Sequence, residues 1–171
     1  FYADQTASVR TDVDSRAFNI QRGVQQGDHL SSFLFNALLE HIFRQLKASW
    51  QQRRFGIKLG HTSSTHLTNL RFADDVLLFA PNLKQLKCLL KDLQRHAAQC
   101  GLELHPDKTK ILTNVTRGSG RRVTHADIHG NSVQILNFTA STKHLGRTLT
   151  FDGFHDTELH NRIAACWRRF N

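Results

Sequence analysis

The chain has 171 residues, room for one domain with a real core and not comfortably for two. Lysine and arginine number 23 against 14 acidic residues, giving +9 and a pI near 10.1, a balance that favours a polyanionic partner, nucleic acid foremost. No apolar run approaches the roughly 18 residues of a membrane span, no secretory signal is visible, and three cysteines without a CxxC pair fit a reducing intracellular compartment better than a disulfide scaffold.

Residues 1–22 mix aromatic and β-branched positions with polar ones, which predicts a strand pair. "QQGD" breaks that pattern, and Leu30, Phe33, Leu34, Ala37, Leu38, His41, Ile42 and Leu46 then recur at helical spacing. An amphipathic, well-buried helix is predicted over residues 28–50, with Asp28 as its N-cap. "GHTSSTH" is a loop. Residues 67–72 and 76–80 read as a hairpin of buried strands with Ala-Asp-Asp between them. Leu83, Leu86, Leu90, Leu93, Ala97 and Cys100 mark a second amphipathic helix, stopped by Gly101. "LELHPDKTKIL" predicts a strand, a turn at Pro106-Asp107 and another strand. The basic "TRGSGRR" is a loop. Residues 133–150 predict two strands with the turn in "NFTAST", and Leu159, Ile163, Trp167 and Phe170 predict a C-terminal helix.

With one strand in front, the order from residue 28 to 112 becomes β-α-β-β-α-β, an α+β ferredoxin-like unit with both helices behind one sheet. "NLRFADDVLLFA" then raises a chemical question. Two adjacent carboxylates between apolar runs need compensation, because removing an ion from water is costly. At a hairpin tip, Asp74 and Asp75 could hold Mg²⁺, which takes oxygen ligands and is commonly bound through one or two carboxylates. Neighbours in a strand point to opposite faces, so Asp74 is the first choice and Asp75 the supporting one. An ordinary polar turn explains the hairpin alone equally well, since Asp is a common turn residue. His125 with His129, and His96 with Cys100, have four-residue spacing but no further partners, a poor pattern for structural zinc.

"RFADDVLLFA" resembles the Asp-Asp motif of reverse transcriptases, in the Phe-Ala-Asp-Asp form of non-LTR (LINE-type) retrotransposons. "RGVQQGDHLSSFLFNALLE" is similar to the segment that precedes and opens the family's next helix, "GLELHPDKTKIL" to the following palm motif, and "TKHLGRTLT" to the primer grip. Four motifs in family order are far more specific than any one. The resemblance implies the palm of a right-hand polymerase, ending in a primer-grip hairpin. It divides the chain into a hairpin and nucleotide-side loop (1–27), a palm core (28–114), a connector and grip hairpin (115–150) and the start of a helix (151–171). It also implies RNA-directed DNA synthesis: an RNA template, a DNA primer, dNTPs, and Mg²⁺ (or Mn²⁺) held by Asp74 and Asp75. Gln26 and Gly27 match the turn beside the incoming nucleotide, where glycine admits close backbone approach. Lys108, or alternatively Lys110, matches a basic position near the leaving pyrophosphate. Leu145 and Gly146 match the turn that presses on the primer backbone, and an ordinary hairpin is the alternative.

The sequence departs from that family at four places. His29 and Ser32 stand where prolines are usual, and Arg147 replaces a small apolar residue. The family's other metal-binding aspartate lies on a strand well upstream of "QGD". This chain, which opens "FYADQTASVR" and lacks methionine, is expected to be a piece that starts after it. "TDVDSRAFN" imitates that motif through Asp12 or Asp14 but lies too close to "QGD" and matches an intervening hairpin instead. A bare chain with one half of a metal site is expected to bind metal weakly and polymerise little or not at all. A non-catalytic nucleic-acid-binding remnant of such an enzyme is the alternative.

Overall fold

A computed structural model describes residues 6–12, 14–20, 23–24, 27–60, 64–115, 124–128 and 130–170. The chain falls into two compact units, Phe1–Arg44 and Gln45–Asn171, and the division lies inside a helix. Architecture is mixed α+β, with three helices and five small sheets among the described residues.

In the first unit β1 (Thr6–Ala7) pairs antiparallel with β2 (Phe18–Asn19), the strand pair expected from the alternating pattern. Their connection is pinched by an Arg10–Asp14 bridge, whose side chains approach to 3.5 Å. Helix α1 (His29–Gln52) follows. Asp28 caps it as expected: its Oδ1 accepts the Leu30 N–H at 3.0 Å, satisfying a donor that the helix itself leaves free. The helix is not buried along its whole length. Leu39, Ile42, Phe43, Leu46 and Trp50 are buried, whereas Leu30, Phe33 and Leu34 are exposed. Helical periodicity gives the apolar stripe, but burial needs a neighbour along the stripe's full length, and at Leu30, Phe33 and Leu34 the stripe stays open to solvent.

The second unit opens with the last two turns of α1. Next come β3 (Ile57–Lys58) and β4 (His66–Leu67), paired antiparallel, and then β5 (Asn69–Phe72) and β6 (Asp75–Leu78). Gly56 is fixed by close approach: a Cβ there would lie 2.4 Å from the Leu67 carbonyl oxygen. Its N–H donates to Gln85 Oε1 at 2.8 Å on α2 (Leu83–Gln99). Helix α2 carries both expected end signals. Asn82 Oδ1 accepts from the Gln85 N–H, and Gly101 at φ 74 lets its own N–H and that of Leu102 reach back to Ala98 and Ala97.

Strand β7 (Lys110–Leu112) runs parallel to β9 (Asn131–Leu136), which pairs antiparallel with β8 (His125–Ile128). Along β8 and β9 the buried residues Ala126, Ile128 and Val133 alternate with exposed ones, so one face of this sheet meets the core. Those three pack with Ile111 and with Leu90 of α2, and half-buried Leu78, Leu83, Leu86, Leu104 and Ile135 surround them. Each such aliphatic side chain contributes about 1.5–3 kcal/mol when fully buried.

Three strand expectations need correction. Residues 102–105 form no strand: Leu102 and Leu104 turn inward, but the segment has no ladder partner among the described residues, and it turns at residues 106–108, with Thr109 N–H bonding the His105 carbonyl. "NFTAST" does hold a turn, with the Ala140 N–H on the Asn137 carbonyl at 3.0 Å, but residues 133–150 carry three strands and not two. The turn links β9 to β10 (Thr142–His144), which pairs with β11 (Arg147–Leu149), so the paired strands close at Leu145-Gly146. The Asp-Asp hairpin is not made of buried strands either. Among the described residues β5 has β6 as its sole strand neighbour, and Leu78 packs on the core while Leu70 and Phe72, on the other face, stay 53% and 66% exposed. The C-terminal helix α3 (Phe154–Phe170) is present as expected.

Candidate functional site

The β5–β6 register closes on the pair Phe72↔Asp75, leaving Ala73 and Asp74 as a two-residue connection. Such connections need a positive φ at their first position, and Ala73 takes it at φ 50. Asp74 therefore sits on the turn, and Asp75 is the first residue of β6 rather than part of the loop. Both are exposed. Residues opposite one another share a face, so Asp75 lies with Phe72, Leu70 and Leu77, on the side away from Leu78 and the α2 core. Two exposed adjacent carboxylates are a suitable oxygen-donor pair for a hard divalent cation. Among the described residues no three acidic, histidine or cysteine side chains converge tightly enough to hold an ion.

The second hairpin has a matching design. Leu145 at φ 49 and Gly146 at φ 74 make its two-residue turn, and Leu145 is exposed. Its far strand is clamped to α3 by Glu158, a residue that no motif singled out. Glu158 accepts the Thr148 N–H at 3.0 Å, Arg147 Nε at 3.3 Å and Arg162 Nε at 2.8 Å. Asn161 Nδ2 adds a bond to Thr148 Oγ1 at 2.7 Å. The Thr148 N–H, helped by Arg162 and Arg147, holds the Glu158 carboxyl below its ordinary value against the opposing effect of burial. Its sequence signal was slight: a Glu–Arg pair at i, i+4.

Other expected site residues are scattered. Gly27 is a turn residue of the first unit at φ 91, and Gln26 lies outside the described residues. Lys108 is exposed on the turn before β7. Lys110, also exposed, makes a cross-strand bond, Nζ to Gln134 Oε1 at 2.8 Å. Asp14 is held by Arg10 at the first hairpin. His96 Nδ1 lies 2.9 Å from the Asp92 carbonyl, and His129 lies outside the described residues. All three cysteines are free. Among the described residues no helix is long and apolar enough to cross a membrane.

Residues 2–149 match the reverse transcriptase (RNA-dependent DNA polymerase) family profile. The chain belongs to the reverse transcriptase family. It is 31% identical over 153 residues to the Pol polyprotein of the type-1 retrotransposable element R2 of Nasonia vitripennis, covering 86% of this chain and 14% of that protein. It is 37% identical over 95 residues to the corresponding polyprotein of the type-2 element R2DM of Drosophila melanogaster, 55% of this chain and 8% of that one. A transposon-derived protein of Caenorhabditis elegans is 32% identical over 113 residues, 62% of this chain and 37% of its own length. These relatives place the reverse transcriptase chain with those of non-LTR retrotransposons. It spans well under half the length of each of them.

Proposed function

We propose that this chain is the palm of an RNA-directed DNA polymerase of the non-LTR type, with Asp74 and Asp75 as its metal-binding carboxylates. The observation that carries this is the hairpin tip, where Asp74 on the turn and Asp75 at the start of β6 are both exposed, inside a family match covering residues 2–149. In the whole protein the 3′-hydroxyl of a DNA primer attacks the α-phosphate of a dNTP chosen by an RNA template, and pyrophosphate leaves. Asp74 and Asp75, with a further aspartate from upstream, would hold the divalent cation, Mg²⁺ in this reading, which would supply charge neutralisation to the transfer. Lys108 offers a cation to the departing pyrophosphate. The backbone around Gln26 and Gly27 lies against the nucleotide, and the Leu145-Gly146 turn bears on the primer. The enzyme works inside the cell.

The finer topology belongs to the same proposal. The hairpin β5–β6 and the sheet β7–β9–β8 each end in an open edge among the described residues. One strand entering between β6 and β7 would join them into the ferredoxin-like order, and an aspartate on it would complete the carboxylate set. The longer relatives have the chain length to supply it.

The test is primer extension on an oligo(dT)–poly(rA) hybrid by the whole reading frame that contains this chain, beside its Asp74→Asn variant and the bare 171-residue chain. Extension by the whole protein, lost by at least about 100-fold in the variant, is expected from removing a charge-stabilising group. Equal extension by the variant contradicts the role of Asp74. Template-dependent extension by the bare chain contradicts the need for a third carboxylate beside Asp74 and Asp75.

A further inference from the structure

We infer that the outer face of α2 is a second, sequence-independent nucleic-acid contact, made by Lys84, Lys87 and Lys91 on phosphates of a duplex. These positions are spaced by three and four residues, so they form one row on the helix surface. Arg95 extends the row by four more, although it also approaches Asp92 at 3.7 Å. The row lies on the side opposite Leu86, Leu90 and Leu93, which face the core. Lys84 and Lys91 are exposed and Lys87 is half-buried.

A solvated helix face usually mixes signs, because acid–base pairs at i, i+4 support the helix and like charges there oppose it. Helix α2 does the reverse. Its single acid, Asp92, is engaged by Trp50, Arg53 and Arg95, and no ion pair to Lys84, Lys87 or Lys91 is found among the described residues. Lys84 also stands in the first turn, where a cation opposes the helix dipole and where no acidic residue is present. Three lysines thus work against the helix that carries them, and a local rule broken repeatedly on one face marks a face kept for a partner. From 84 to 95 the row is about 16 Å long at 1.5 Å per residue. Along one strand of a duplex that length presents about five phosphates, at roughly 3.4 Å per step of the axis. The partner is therefore a polyanion with regularly spaced charge along a rod, and contact to phosphates alone reads no sequence.

The inference is independent of the polymerase reading, because the row is on the helix surface away from the core and needs no metal. The test measures binding of a fluorescent 20-base-pair blunt DNA duplex to the 171-residue chain, in EDTA, across a salt series. Wild type is compared with Lys84→Gln/Lys87→Gln/Lys91→Gln and with a control that removes equal charge elsewhere, Arg16→Gln/Lys47→Gln/Arg168→Gln. Each lost phosphate contact flattens the log–log salt dependence by about 0.9, so the row variant is expected to bind at least about tenfold more weakly with a slope shallower by about 2–3. The control should change the slope by less than about 1. The row variant should melt no lower than wild type, since like-charge crowding is relieved. Equal losses in both variants, no loss in the row variant, or no duplex binding by wild type would each overturn the inference. So would a row-dependent affinity for poly-glutamate in place of the duplex, which would assign the face to an acidic protein.

Discussion

Trp50 Nε1 donates to Asp92 Oδ2 across 3.0 Å, tying the end of α1 to the middle of α2 through a tryptophan that is wholly buried. The same carboxylate oxygen receives Arg53, and Arg53 in turn lies over the Phe55 ring at 4.4 Å. With the carboxylate removed, a buried indole N–H loses its acceptor and Arg53 its ion pair. Asp92→Ala is expected to lower the unfolding free energy by about 1–3 kcal/mol in urea titrations, the cost of an unsatisfied buried donor. An unchanged midpoint would show that the two helices are held by apolar contact alone.

Acid should loosen this knot and the Glu158 clamp together. Burial pushes the Asp92 carboxyl up, but the bonds from Arg53 and Trp50 and the charges of Arg53 and Arg95 outweigh it, and its net shift is downward from 3.8. Glu158 is likewise shifted downward, from 4.5, chiefly by the Thr148 N–H. A depressed native pKa means stability fully present above the unfolded value and lost as pH falls through the native one. Thermal melts should therefore be flat from neutrality to about pH 5 and fall steeply below about pH 4. The fall should be shallower in an Asp92→Asn/Glu158→Gln double variant. Amide exchange should show Thr148 losing protection in Glu158→Gln at neutral pH.

Gly56 has no room for a side chain. Its φ of 102 and the 2.4 Å clash with the Leu67 carbonyl act together, because the contact is with backbone that cannot swing aside. Gly56→Ala is expected to cost more than about 2 kcal/mol. Survival of wild-type stability would mean that the β3–β4 ladder is not fixed in this position.

At the aspartate hairpin, Ala73 holds a conformation that costs an L-residue about 1–2 kcal/mol. Ala73→Gly should leave stability unchanged or raise it by up to about 1 kcal/mol, whereas Ala73→Val should lower it by more than about 1 kcal/mol. The opposite order would rule out the two-residue turn.

Much of this fold was legible in sequence, and the failures have a common cause. Asp28, Asn82 and Gly101 signalled helix ends because capping is local chemistry, settled by the atoms of a few adjacent residues. The hairpin around Asp74 was legible for the same reason. Burial was not: Leu30, Phe33, Leu70 and Phe72 carry apolar periodicity yet stay open to solvent. Pairing partners were also illegible: the turn in "NFTAST" is there, yet the strands that pair close at Leu145-Gly146, where a leucine takes a backbone angle more usual for glycine. Glu158 and Asp92 were missed because the partners that tie them to other elements, the Thr148 N–H and Trp50, lie 10 and 42 residues away.

The central claim is that Asp74 and Asp75 hold the divalent cation, and it can be tested without turnover. Mn²⁺ added in substoichiometric amounts to ¹⁵N-labelled chain broadens the amide signals near its site. Broadening should be strongest at Ala73, Asp74, Asp75 and Val76, require weak, roughly millimolar affinity for a carboxylate pair that keeps most of the ion's water, and disappear in Asp74→Asn/Asp75→Asn. Broadening that centres elsewhere, or that survives in the double variant, would contradict it.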